Sequence, residues 1–159
     1  MALGFRMGQI VGGGGTSLKI DLLKNGETKN GFTGNVVNTY NGLIKSETTG
    51  YLTYTYISAG NLNLGRFATD FKGYGKKYIH IVGHLYDSSG SGVAYIFPSD
   101  NGNYAVSTLP SQTQTVSASN VDSEFIFDIS SLNSAFIYMR PGGERSKTFY
   151  IKDIWVSDF

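Results

Sequence analysis

Short runs of alternating side chains, each closed by a turn signal, leave this chain few folds to choose from. In "YLTYTYI" (51–57), Tyr51, Thr53, Thr55 and Ile57 fall on one face and Leu52, Tyr54 and Tyr56 on the other, because successive strand residues point to opposite sides. In "KKYIHIVGHLYD", Ile79, Ile81, Gly83 and Leu85 share the face that suits a core, and Tyr78, His80, Val82, His84 and Tyr86 share its opposite. "SEFIFDI" buries Phe125, Phe127 and Ile129 and turns Glu124, Ile126 and Asp128 outward. In "TFYIKDIWV" the alternation slips at Lys152-Asp153, so that Phe149 and Ile151 share an interior with Ile154 and Val156 only if a β-bulge intervenes.

Segments of this kind recur roughly every ten to fifteen positions, and helical periodicity is nearly absent. The pattern predicts strands over 18–23, 36–40, 51–57, 62–67, 76–86, 93–97, 104–107, 113–117, 124–129, 135–139 and 148–156, with one short helical turn over 68–74. Turns are expected at Asn25-Gly26, Asn41-Gly42, 87–92, 98–102 and 141–143, where Asn-Gly supplies the positive φ of a two-residue hairpin. So many short strands exceed one flat sheet. The expected fold is all-β, a two-sheet antiparallel sandwich of the jelly-roll or Greek-key class. The expected division is a flexible glycine-rich arm over 1–16 and one sandwich over 17–159.

Composition narrows function mostly by exclusion. Net charge is +1 and charged residues are 16%, so a basic face for nucleic acid is not expected. No apolar run approaches the ~20 residues of a membrane helix, which points to a soluble protein, and "MALGFRMGQIV" has no secretory-leader pattern. The absence of cysteine excludes disulfides, thiolate metal sites and cysteine nucleophiles.

Candidate chemistry is sparse. Gly12 to Gly15 is followed by the strand-like "TSLKID", whereas a phosphate loop opens a helix. With eleven residues ahead of it, the run reads instead as the hinge of an arm that docks on a partner through Leu3, Phe5, Met7 and Ile10. His80 and His84 on a strand would stand ~13 Å apart, too far to share an ion, and read as surface or partly packed histidines. The twelve acids are scattered, mostly beside turns, so a glycosidase pair is not evident. A Ser-His-Asp arrangement is spatial and stays open, although no G-x-S-x-G elbow occurs. "SDNGN" (99–103) has calcium-type oxygens without the closing bidentate Glu and reads more simply as a turn. Arg140 and Arg145 flank "PGGE", as an anion clamp or as solvated loop arginines.

Eleven tyrosines are the richest signal, since a flat ring with a hydroxyl suits a sandwich core, a sugar face or a protein interface alike. Tyr54, Tyr56, Tyr78, Tyr86, Tyr95 and Tyr104 fall on strands or loop edges. The candidate glycan cleft is Tyr86, Asp87, Asn101, Asn103, Tyr104 and Arg140. No catalytic residue, metal or cofactor is expected.

The stretches "LKIDLLKNGETKNGFTGNVV", "GYLTYTYISAG", "TDFKGYGKKYIHIVG", "FDISSLNSAFIYMRPGG" and "YIKDIWVSDF", in that order after a glycine-rich start, resemble small structural proteins of siphophage tails infecting Gram-positive bacteria. The last two also look like the final strands of galactose-binding-like and carbohydrate-binding jelly rolls. The resemblance implies a sandwich similar to the shoulder domain of lactococcal phage receptor-binding proteins, without room for their neck or head. It implies a non-enzymatic virion part, made in the host cytoplasm, acting as a tail or baseplate adaptor. Its partners would be other tail proteins, further copies of itself or host cell-wall glycan. The alternative is a carbohydrate-binding module for host cell-wall polysaccharide, and a wall hydrolase stands third.

Overall fold

The computed structural model describes residues 18–38, 43–56, 65–90, 92–101, 110–142 and 147–159. The expected arm with Leu3, Phe5, Met7 and Ile10, the glycine run, the Asn41-Gly42 turn and the 104–107 strand lie outside the described residues. Among the described residues twelve strands follow one another: β1 (Lys19–Lys24), β2 (Glu27–Thr28), β3 (Val36–Asn38), β4 (Leu43–Thr48), β5 (Tyr51–Tyr56), β6 (Gly65–Phe67), β7 (Tyr78–Asp87), β8 (Val93–Ser99), β9 (Gln114–Ser117), β10 (Ser123–Asp128), β11 (Phe136–Gly142) and β12 (Lys147–Ser157). The expected helical turn is a 3₁₀ turn over Phe71–Tyr74, capped by the Asp70 carboxylate and ended by Gly75 at φ 68°.

They form an all-β, two-sheet antiparallel sandwich. Sheet A runs β10-β7-β12, and the free side of β12 is shared by two strands in succession: β5 pairs with Thr148–Ile151 and β1 with the stretch from Ile154 to Ser157. Sheet B runs β3-β6-β11-β8-β9. The core between them takes Ile79, Ile81 and Leu85 from β7, Phe149, Ile151, Ile154 and Val156 from β12, Phe125 and Phe127 from β10, and Ile96, Ile137 and Met139 from sheet B. Each such aliphatic or aromatic side chain stabilises the fold by about 1.5–3 kcal/mol on burial.

The alternation of the sequence is therefore the inside-outside alternation of the sandwich. Tyr54 and Tyr56 are core residues. Tyr56 reaches across the sandwich to donate to the Met139 carbonyl, and Tyr54 donates to the Gly34 carbonyl at 2.8 Å. Burial pushes both phenols far above the ordinary tyrosine range, so they remain donors.

The bulge on β12 decides what the outside of sheet A looks like. Register with β7 slips between Ile151 and Asp153, which leaves Lys152 extra and puts Tyr150, Asp153, Trp155 and Ser157 all on the outer face. The Asn25-Gly26 hairpin turn, with φ 49° and 77°, plugs the gap between β1 and β5 at this point. Gly26 N–H donates to the Lys152 carbonyl at 2.9 Å and Asn25 N–H to the Asp153 carboxylate at 2.8 Å. On the β7 side, Gly83 lies so close that a Cβ there would stand 2.1 Å from the Tyr150 carbonyl oxygen and 3.1 Å from Ile151 Cα. Gly83→Ala is accordingly expected to cost about 3 kcal/mol, because backbone rather than a side chain must yield; denaturant titration checks it, and a loss under about 0.5 kcal/mol would contradict it.

Three expectations are corrected. Strand β4 was not foreseen, because its inward positions Lys45 and Glu47 interrupt the apolar pattern and leave Leu43 alone buried. Pro98-Ser99 and Pro141-Gly142 belong to β8 and β11 rather than to turns. The reason is local: β9 pairs with β8 only as far as Ile96, and β6 with β11 only at Tyr138 and Met139, so each proline stands where its strand has a neighbour on one side. Among the described residues the outer edge of β10 is covered by side chains: Gln114 donates to the Ile126 carbonyl, and Gln112 bonds both the N–H and the carbonyl of Asp128.

Candidate functional site

Register alone assembles the most distinctive surface. On the outer face of sheet A, β7 places His80 directly opposite Trp155 of β12, and His84 directly opposite Tyr150. Cross-strand neighbours are near enough to pack. The His80 and Trp155 rings stack at 4.7 Å with 10° between planes, and the His84 and Tyr150 rings at 4.8 Å with 7°.

Each imidazole is fixed from behind by a carboxylate. His80 Nδ1 lies 2.9 Å from Glu124 Oε1, and His84 Nδ1 lies 2.7 Å from Asp122 Oδ1. The face thus repeats one unit, carboxylate–imidazole–aromatic, at two places roughly 13 Å apart along β7. Tyr51, from β5, lies at right angles to the second unit, 5.4 Å from the His84 ring and 5.7 Å from the Tyr150 ring, and donates to Asp122 Oδ2 at 3.1 Å. Burial first, then the Asp122 carboxylate, hold the Tyr51 phenol above its ordinary range, so it keeps its proton. Between the units stands Asp153, which takes the Asn25 N–H and the Lys24 ammonium. The Thr55 and Thr148 hydroxyls, 2.8 Å apart, add polar groups at one end. Tyr86, Ile126 and Ile44, each about half exposed, extend the face.

Could this face react rather than hold? Ser157 Oγ is 2.9 Å from His80 Nε2, so Ser157, His80 and Glu124 stand in the atom order of a hydrolase triad. Ser157, however, is 2% exposed, and its hydroxyl donates to the Phe159 carbonyl. The serine proton is thus committed to a backbone carbonyl rather than to the imidazole that would have to take it from a nucleophile. Asp122 and Glu124, two residues apart, are roughly 7 Å from each other, but they lie on an open face, each committed to a histidine, and not across a cleft. Among the described residues no group of three His, Asp or Glu side chains could hold a metal.

The candidate cleft of the sequence is not assembled. Tyr86 is on the outer face of sheet A and, with Asp87, Ser88, Ala118, Ser119 and Asn120, lines a shallow hollow of about 250 Å³. Asp87 turns inward, where its buried carboxylate faces the buried Lys147 ammonium at 3.2 Å. Asn101 follows the far end of β8, roughly 20 Å from the Val93 end beside Asp87, and its carbonyl accepts from Tyr138 at 2.6 Å. Arg140 is on β11 of the other sheet. Asn103 and Tyr104 lie outside the described residues. The expectation that His80 and His84 are separate, partly packed histidines holds. What sequence reasoning missed is that they pair with Tyr150 and Trp155; the signal was present as two strands that alternate aromatic-outside with aliphatic-inside.

No family model and no curated protein matches this chain. Solved structures do. A family 29 carbohydrate-binding module complexed with mannohexaose superposes with a TM-score of 0.55 at 15% identity, over 88% of this chain and 91% of that one. A variant complexed with cellulohexaose gives 0.53 at 14%, over 88% and 90%. A further structure of a family 29 module gives 0.54 at 14%, over 88% of each. At such identity the likeness establishes the sandwich fold. Variants of that module probed for ligand recognition replace a tyrosine, aspartates, lysines and an arginine by alanine.

Proposed function

We propose that this chain is a non-catalytic carbohydrate-binding module whose ligand lies across the outer face of sheet A. The observation that carries the reading is the repeated carboxylate–imidazole–aromatic unit at cross-strand pairs His80/Trp155 and His84/Tyr150. Rings locked before the ligand arrives lose little entropy on binding, and fixed carboxylates and hydroxyls accept from sugar hydroxyls. The fold shared with modules solved with mannohexaose and cellulohexaose supports this reading and supplies the probes.

Two units roughly 13 Å apart cannot both be met by one pyranose ring. A linear chain of several rings can reach both. Mannohexaose or cellulohexaose is therefore expected to bind at least tenfold tighter than the matching disaccharide, as read by isothermal titration calorimetry. Equal affinity for the two lengths would remove the two-unit reading.

This ordering reverses the expectation from sequence, which put a phage tail or baseplate part first and a carbohydrate-binding module second. A virion adaptor could carry such a face to a host surface, and that role stays a proposal of its own. Labelled antibody against the chain, imaged on the corresponding particles, would show bound label if the role is right and bare tails if it is wrong.

A further inference from the structure

Trp155 has both of its faces taken. His80 covers one, and the Lys19 ammonium stands over the ring at 4.4 Å from its centroid. Lys19 and Trp155 meet because β1 pairs with the end of β12, where Lys19 faces Ser157 and Asp21 faces Trp155 on the outer side of sheet A. Asp21 holds the same ammonium at 3.1 Å. The two faces are not equally committed. His80 is buried and pinned at both ring nitrogens, by Glu124 and Ser157, so its side of the indole is closed. Lys19 is a long, flexible side chain, nearly half exposed at 45%, and its partner Asp21 is exposed to 44%.

From this asymmetry we infer that Lys19 is a displaceable occupant of the glycan face: its ammonium fills the position over Trp155 that a sugar ring takes, and it swings aside on binding. The inference rests on the carbohydrate-binding reading and goes beyond it, because it names the residue that sets the affinity of one unit and leaves the other untouched. Tyr150 has no cation over it among the described contacts; its second neighbour is Tyr51, edge-on. The unit at Tyr150 carries no such cation among the described contacts, whereas the unit at Trp155 opens only when the Lys19 ammonium leaves the ring, the exposed cation–π contact and the exposed Lys19–Asp21 pair being among the contacts given up.

The cost is measurable. Removing the occupant should tighten binding by about two- to fivefold, the equilibrium factor that corresponds to an exposed cation–π contact. Arginine stacks on an aromatic face better than lysine does, so it should hold the position more firmly. Salt should act in the same direction as removal, since screening loosens the Lys19–Asp21 pair while leaving a neutral sugar unaffected.

The test is a titration of the full chain with mannohexaose and with cellulohexaose, followed by the fluorescence of Trp155, the only tryptophan in the sequence. Wild type, Lys19→Ala, Lys19→Arg and Tyr150→Ala are compared at low and at moderate salt. The expected result is tighter binding for Lys19→Ala, weaker for Lys19→Arg, and a rise of affinity with salt that wild type shows and Lys19→Ala lacks. Binding by Lys19→Ala that equals or falls below wild type would make Lys19 a bystander or a direct ligand contact, and would overturn the inference while the carbohydrate-binding reading stands. Failure of every variant, Lys19→Ala included, to bind either hexaose would overturn both. Thermal midpoints of the variants, expected within about 2 °C of wild type for an exposed strand-edge position, separate these outcomes from misfolding.

Discussion

Replacing Lys147 by alanine is expected to lower the unfolding free energy by about 3–5 kcal/mol, the cost of stranding a buried carboxylate. For a chain of this size that corresponds to a fall in melting midpoint of about 6–20 °C. The geometry behind the number is tight. Asp87 and Lys147 have side chains 1% and 3% exposed, and they meet at 3.2 Å where β7 ends and β12 begins. A Cβ on Gly92 would stand 1.9 Å from Asp87 Oδ2, so only a glycine lets the chain pass this close to the carboxylate. The double replacement Asp87→Asn with Lys147→Met removes both charges and should recover most of the loss. A Lys147→Ala protein within about 1 kcal/mol of wild type would mean that the pair contributes little to the fold.

The same carboxylate gives a pH dependence whose sign is fixed. The Ser89 hydroxyl, then the Ser89 amide, then Lys147 hold Asp87 down to about 2, against the opposing effect of burial. A carboxyl depressed in the folded state stabilises above its unfolded value and loses that contribution as pH falls through its folded value. Asp87 should therefore cost stability between about pH 4 and about pH 2, and Asp87→Asn should flatten that part of the curve. Denaturant midpoints at stepped pH measure it; identical slopes in the two proteins would contradict it.

The largest expected effect on binding is at the paired rings. Trp155→Ala and Tyr150→Ala should each weaken hexaose binding by about 30-fold, as truncating an anchor in the centre of an interface costs roughly 2 kcal/mol or more. His84→Ala should act more weakly and indirectly, through the freedom it gives Tyr150. Tyr138→Phe, on sheet B, loses a bond to the Asn101 carbonyl and should leave hexaose affinity within twofold. Calorimetric titration of these four variants checks the pattern. A loss confined to the sheet B variant would move the site to the other face.

How far was this legible beforehand? The sandwich was, because Ile79, Ile81 and Leu85 alternate with polar and aromatic neighbours, and that alternation survives in the structure as inside and outside. So was the bulge, since Ile151 and Ile154 can share an interior only if one residue is extra. β4 was not, because an edge strand with Lys45 and Glu47 on its inward positions has no apolar rhythm to read. The face was half legible. Each strand announced its outward aromatic and imidazole residues, but β7 and β12 are about sixty residues apart in sequence, and nothing local says that His80 meets Trp155 rather than Tyr150. Pairing is a tertiary fact, set here by where the bulge falls. The candidate cleft failed for the same reason: Asp87 and Asn101 frame one strand, β8, and a strand holds its ends apart.

The most direct measurement is a map of backbone and indole N–H shifts on the full, isotopically labelled chain as mannohexaose is added. The predicted result is a set of progressive shifts centred on the Trp155 indole and on amides of His80, Val82, His84, Tyr150 and Asp153, with sheet B unmoved. Shifts centred on β8 and β11, or none up to millimolar hexaose, would contradict the account.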